Sequence, residues 1–282
     1  MSARLSILAL FATLLVGCRS LPQMDSARLI ERMTSAYPSC QSFEDSGTIR
    51  EVEIEAGETN VTLTSFRIQF VRGQAYRMEI DADRTYGVGP YSLVYHWDGR
   101  GWSSYDSLNL YYGWQPVRTN VSKDSIIGSG VALSFGLFPD MPRLLHLEEG
   151  DFSGFRRYDS AQLATDRLGG RPVYRLTLRW EFWGDDDTDE YWIAPDTFTV
   201  LQRREHSIKN RGDRIDTLTR MSTHSPRLDT LPPDARIEFS PPKSRANFCS
   251  SECAGRLSVT IRSSQRRIAE RFRSADSVDT LL

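Results

Sequence analysis

The sequence predicts a mainly β protein with a minor helical share (α+β), an antiparallel sheet curved strongly enough to make a half-open barrel. Three observations predict it. Runs of two-residue alternation, apolar against polar, recur along the chain. Turn residues separate these runs at hairpin spacing. The apolar positions are rich in Phe, Tyr and Trp, and many short strands with aromatic inner faces describe a curved sheet or partial barrel.

One helix precedes the strands. Asp25 or Ser26 can cap it, Leu29, Ile30, Met33 and Tyr37 recur on one face, and Pro38 is expected to end it at Tyr37. From Phe43 the period changes to two. Phe66, Ile68 and Phe70 alternate with polar neighbours, and after Arg72-Gly73-Gln74 the pattern resumes with Tyr76, Met78 and Ile80, which reads as a hairpin. Leu93–Trp97 is a further strand. Asp98-Gly99 turns it back into Trp102–Tyr105, because a type I′ turn needs positive φ and these residues tolerate it.

The second half repeats the style. Gly169-Gly170 turns into an unbroken alternation of Tyr174, Leu176, Leu178, Trp180 and Phe182. The stretch 184–187 is expected to turn out of it towards Tyr191-Trp192-Ile193. Phe198–Glu205 and Arg214–Met221 supply two more strands.

Two segments depart from this rhythm. Ser125–Phe138 holds only small and apolar residues and no charge, so it is expected to be buried, as a helix or loop packed into the mouth of the sheet. Near the C-terminus Leu257, Ile261, Ile268 and Phe272 share one helical face among many arginines. That pattern reads as a basic amphipathic helix over about 256–273, within an extension spanning 244–282. It is expected to dock on the sheet with a solvated arginine face, or to be drawn to anionic lipid or a partner.

The N-terminus carries an address. Arg4 precedes an apolar run from Leu5 to Val16, too short to span a bilayer, which needs about 20 residues. Gly17-Cys18 follows, with apolar residues just before it, as in a bacterial lipobox. Residues 1–17 are therefore expected to be a signal peptide, Cys18 the lipidated first residue of the mature chain, and 18–24 a tether. An ordinary signal peptide with an incidental cysteine is the plainer alternative. No Asp follows Cys18, and by analogy that favours the outer membrane, facing the periplasm. The net charge of -2 gives no argument for nucleic acid. The rest of the chain is read as one β domain, 25–243.

The layout resembles the outer-membrane lipoprotein carrier and receptor group, the LolA/LolB-like family. The resemblance rests on Tyr37-Pro-Ser-Cys40-Gln-Ser-Phe43-Glu-Asp45-Ser-Gly47, Phe66–Arg72 with Tyr76–Glu79, Trp97-Asp98-Gly99, Gly170–Leu176, Tyr191–Phe198, and Phe239-Ser-Pro241-Pro242. It implies a half-open β-barrel with helices packed in its concave face and an apolar cavity for acyl chains. In the family the carriers are soluble and the receptor is lipid-anchored, so an anchored chain fits a receptor-like or other binding role.

A search for chemistry finds little. The four histidines show no paired metal spacing, there is no Gly-x-Ser-x-Gly elbow, and no cofactor motif appears. The acidic run Asp185–Glu190 lacks the glycine of a calcium loop and reads as a solvated turn. After lipidation three thiols remain, Cys40, Cys249 and Cys253. Cys249 and Cys253 could close a small disulfide loop, and Cys40 to either is the other option. No metal set is evident around them. The expected activity is binding, not catalysis. An acyl chain or lipoprotein lipid would lie between Phe66, Phe70, Tyr76, Met78 and Trp180 and the buried segment with Ile126, Val131, Leu133, Phe135 and Leu137. The alternative is a structural envelope lipoprotein with a filled core and a protein-interaction role. An enzyme would require three or more polar side chains meeting in one cleft.

Overall fold

The computed structural model describes residues 21–83, 90–107, 115–116, 158–182, 185–210, 212, 214–232 and 235–238. Cys18, the Ser125–Phe138 segment, Phe239–Pro242, and the basic extension with Cys249 and Cys253 lie outside the described residues.

Helix α1 spans Ser26–Ser39. Asp25 caps it, its side chain accepting a 2.7 Å hydrogen bond from the Arg28 amide. The helix runs past Tyr37 and holds Pro38 in its last turn, a small correction to the expected end. Arg72 caps the C-terminal end that follows. Its guanidinium donates to the Tyr37 and Cys40 carbonyl oxygens at 3.0 and 2.8 Å.

The strands follow as β1 (Ser42–Glu55), β2 (Glu58–Val71), β3 (Ala75–Ala82), β4 (Tyr91–Trp97), β5 (Gly101–Asp106) and β6 (Gln115–Pro116). The later strands are β7 (Ser160–Leu168), β8 (Arg171–Phe182), β9 (Asp185–Ile193), β10 (Val200–Asn210), β11 (Ile215–His224) and β12 (Arg227–Leu228). They make one antiparallel sheet in the order β6-β5-β4-β3-β2-β1-β11-β10-β9-β8-β7, with β12 beside β1. The two halves of the chain are thus joined where β1 pairs with β11, and among the described residues β6 and β7 do not pair to close a barrel. The hairpin turns at Gly73, Gly99 and Gly169-Gly170 carry positive φ, as their sequences predict.

The acidic run departs from expectation. Asp185–Glu190 lies within β9 and is strand, not turn. Partners on neighbouring strands keep these carboxylates in the sheet: Asp187 accepts from the Trp180 indole N–H at 3.1 Å, and Asp189 pairs with Arg203 at 2.8 Å.

One face of the sheet is the core face. Leu29, Met33 and Tyr37 of α1 share one buried cluster with Phe43, Phe66, Ile68, Phe70, Tyr76 and Met78 of the first half and Leu176, Leu178 and Tyr191 of the second, and the Tyr37 ring meets Phe43 edge-on. The Tyr37 hydroxyl accepts a 2.8 Å hydrogen bond from the buried Val200 amide, pinning the helix to β10. After β11 the chain forms a strap over the opposite face. The Ser42 hydroxyl meets the Leu231 carbonyl, Thr230 donates to Glu44, and His96 and Arg77 hold the carbonyls of Ile237 and Glu238.

Candidate functional site: the concave face

The inner face is set by register. Directly paired residues share a face, so the pairs Phe70–Tyr76, Ile68–Met78 and Phe66–Ile80 make an apolar wing on β2 and β3, continued by Tyr95 and Trp97 on β4. A second wing comes from Tyr174, Leu176, Leu178 and Trp180 on β8, with Leu163 and Ala161 opposite on β7. Phe66, Phe70, Tyr76 and Met78 sit in this face, buried and packed with the helix. Trp180 is half-buried, and with Tyr158, Ala161 and Leu163 it forms a partly exposed apolar strip beside the wall. The other five expected cavity residues, Ile126, Val131, Leu133, Phe135 and Leu137, lie outside the described residues.

Between the wings the face is polar, which the sequence reading missed. β1, β11, β10 and β9 present Asp45, Glu51, Ser222, His224, Arg220, Arg203, Glu205 and Asp189 inward. Arg220 bridges Glu51 at 2.5 Å and Glu205 at 3.1 Å, and Arg203 lies 2.8 Å from Asp189 and 3.5 Å from Glu205. Burial alone pushes the Glu205 carboxyl up; the Arg203 and Arg220 guanidiniums outweigh it and hold the group below the usual carboxylate range. Burial likewise works against the charge of Arg220, and Glu205 and Glu51 reverse that effect and raise it.

A separate chain of hydrogen bonds joins Asp45, His224 and Ser222. Asp45 Oδ2 lies 2.8 Å from His224 Nδ1, and His224 Nε2 lies 2.8 Å from Ser222 Oγ. Asp45 Oδ1 accepts from the Ser225 amide at 2.8 Å. The imidazole packs on the Phe66 ring, centroids 5.2 Å apart. Gly47, the register partner of both Phe66 and His224, leaves this spot clear. A Cβ there would sit 1.7 Å from the Thr223 carbonyl oxygen and 2.9 Å from Phe66 Cζ.

Three buried polar atoms of the apolar wing find no hydrogen-bond partner among the described residues: Thr64 Oγ1, the Tyr76 hydroxyl and Trp97 Nε1. Burial pushes the Tyr76 hydroxyl well above its ordinary pKa, so it stays a neutral donor. Cys40 is a free, buried thiol whose sulfur reaches the Tyr37 carbonyl at 3.0 Å, with its pKa raised mainly by burial. No group of three His, Cys, Asp or Glu that could hold a metal ion occurs among the described residues.

No protein-family model and no curated protein sequence matches the chain. Solved structures similar to it include a MucA/MucB complex of Pseudomonas aeruginosa, at 14% identity and TM-score 0.38 over 78% of this chain and 68% of that one. LprF from Mycobacterium bovis is similar at 8% identity and TM-score 0.37, over 72% and 94%. A LolA superfamily protein from Nitrosomonas europaea is similar at 11% identity and TM-score 0.24, over 74% and 96%.

Proposed function

We propose that this protein is a lipid-anchored envelope protein whose concave face takes an acyl chain, free or carried by a lipoprotein. The observation that carries the reading is the apolar inner wall of β8 and its half-buried margin, Tyr158, Ala161, Leu163 and Trp180. A chain that removes about 200 Å² of apolar surface from water there gains about 5 kcal/mol, before the costs of association. The buried donors of Thr64, Tyr76 and Trp97 would suit an amphiphile better than a plain hydrocarbon.

The anchor is Cys18. Four residues on, the Tyr174 hydroxyl donates to the Pro22 carbonyl at 2.9 Å, and Leu21 and Met24 pack on the core. At roughly 3.3–3.6 Å per residue, the lipid lies within about 14 Å of that contact. The α1 end of the sheet would then face the bilayer. The Ala56-Gly57 hairpin tip, beyond the 14 residues of β1, would stand about 45 Å further out.

Burial of Phe70, Tyr76 and Met78 under α1 favours a second reading, a filled core with a protein-interaction role and no lipid ligand. Native mass spectrometry with lipid extraction and fluorescent fatty-acid titration separate the two. The proposed reading expects co-purifying acyl lipid and saturable binding that W180A weakens several-fold. An empty protein that binds no fatty acid in either assay leaves the filled-core reading standing.

A further inference from the structure

The hydrogen-bond chain on the inner face has the order of a nucleophilic triad: carboxylate to imidazole Nδ1, imidazole Nε2 to hydroxyl. Such a chain recurs on unrelated folds and is recognised by geometry and roles, not by sequence position. Here the serine and histidine are two apart on β11, so both side chains fall on the same face, and the carboxylate comes from β1.

Both contacts are 2.8 Å, within the reach that nucleophile and base require. Asp45 accepts at Oδ2 from Nδ1–H. In a neutral ring that leaves Nε2 as the acceptor, so the Ser222 hydroxyl donates to it, as a nucleophile must. The Ser225 amide on Oδ1 fixes the carboxylate plane. The His224 and Asp45 side chains are 4% and 0% exposed, so water competes little for these bonds. The tilted Phe66 ring, 5.2 Å away between centroids, borders the imidazole on its apolar side. Ser222 is the register partner of Arg203, whose guanidinium is tied to Asp189, so one fixed cation stands on the serine's own row of the sheet.

We propose that Ser222 is the nucleophile of an acyl-ester hydrolase site, with His224 as general base and Asp45 as its positioning residue. The substrate class is a carboxylic ester of a fatty acyl chain, the chain lying on the apolar wing beside Phe66. This rests on the reading that acyl groups enter the concave face. Ser222 Oγ attacks the ester carbonyl carbon while His224 Nε2 takes the hydroxyl proton. The carbonyl–alkoxy bond then breaks, and the imidazolium returns that proton to the departing alcohol. A water molecule, losing a proton to Nε2, attacks the acyl-serine and releases the fatty acid, and Ser222 regains its proton.

The test uses the full mature chain in detergent, with a fluorophosphonate probe, p-nitrophenyl butyrate as substrate, and a fluorescent fatty acid to report binding. The proposal expects a phosphonyl mass on Ser222 and ester turnover that S222A reduces by about 10³-fold or more. S222A, a loss of one hydroxyl, should keep its melting temperature, so a fall in turnover would not come from loss of the fold. D45N should slow labelling of Ser222 by about 10²–10⁴-fold, an effect on rate that loss of fold alone would not confine to this serine. If the wild type binds fatty acid yet is neither labelled at Ser222 nor more active than S222A, the hydrolase is overturned and the binding reading stands. If it neither binds nor reacts, both fall.

Discussion

Replacing Arg220 by methionine tests whether the charged row across the concave face is coupled as its geometry says. The Arg220 guanidinium meets Glu51 Oε2 from two nitrogens, at 2.9 and 2.5 Å, and Glu205 at 3.1 Å. The three side chains are 12%, 12% and 23% exposed, so solvent screens them weakly. Methionine fills much of the same volume and deletes the charge with its three hydrogen bonds, leaving two largely buried carboxylates without their shared cation. Breaking a buried pair from one side costs about 3–5 kcal/mol. For a domain of this size that is a drop in melting temperature of roughly 6–20 °C.

The pH dependence gives the sharper signature. In the wild type the folded-state value of Glu205 lies below its unfolded value. Its contribution is therefore present above the unfolded value, about 4.3, and is lost as pH falls through the folded one. In R220M one of the two guanidiniums that hold the ionised form is gone, so Glu205 takes up a proton more readily in the fold. The gap between the proteins should be widest at pH 7 and narrow steadily towards pH 4.5. Urea unfolding at several pH values measures it. A loss under 1 kcal/mol at pH 7, or a gap that does not change with pH, would refute the coupling.

Three further outcomes follow from single sites. G47A should be destabilised severely, because its Cβ overlaps the Thr223 carbonyl across the β1–β11 seam; soluble yield and thermal melting read this, and a variant with wild-type melting contradicts it. Burial lowers the pKa of His96, which contacts the Ile237 carbonyl of the strap, against a smaller opposite pull from that carbonyl and from Asp98. Its folded value thus sits below its unfolded one, so stability is full above about 6.5 and declines as pH falls through the folded value; H96Q should flatten that acid-side slope in denaturation curves. C18S should move the protein from the membrane to the soluble envelope fraction, and a spin label at Gly170 of the anchored form should sense the bilayer while one at Gly57 does not.

Much of the fold was legible because β-strands advertise themselves by alternation. Phe66–Ile80 and Tyr174–Phe182 carry their apolar faces openly, and Gly73, Asp98-Gly99 and Gly169-Gly170 mark turns that need positive φ. The helix was legible for the same reason, from Leu29, Met33 and Tyr37; the cap that Arg72 puts on its C-terminal end comes from 32 residues beyond Cys40, and no local pattern signals it. The site was legible only in part. Its apolar wings follow from periodicity. Its polar middle does not, since Arg203, Glu205 and Arg220 read as solvent-facing until the register of β10 and β11 turns them inward together. The acidic run was misread on the same ground: high charge suggests a turn, yet Trp180 and Arg203 supply partners that let Asp187 and Asp189 lie in a strand. Ser222 and His224 show no signal at all without Asp45, which lies 179 residues away from His224.

The polar middle also bears on what the concave face is for. Buried ion pairs are poor sources of stability, and replacing a whole set by uncharged groups of similar size is often neutral or favourable. If the row serves only the fold, R220M/E51Q/E205Q should therefore recover most of the stability that R220M alone loses, and fatty-acid binding should be unchanged. If the row instead meets the polar head of an amphiphile whose chain lies along β8, the triple variant should recover stability yet bind acyl lipid about tenfold or more weakly, about 1.4 kcal/mol. The two measurements separate because the apolar wings, Leu176 and Leu178 on one side and Ile68 and Met78 on the other, are untouched by the substitutions. A triple variant that melts and binds like the wild type would show that the charges are packing alone, and would move the search for the ligand's head group to Thr64, Tyr76 and Trp97.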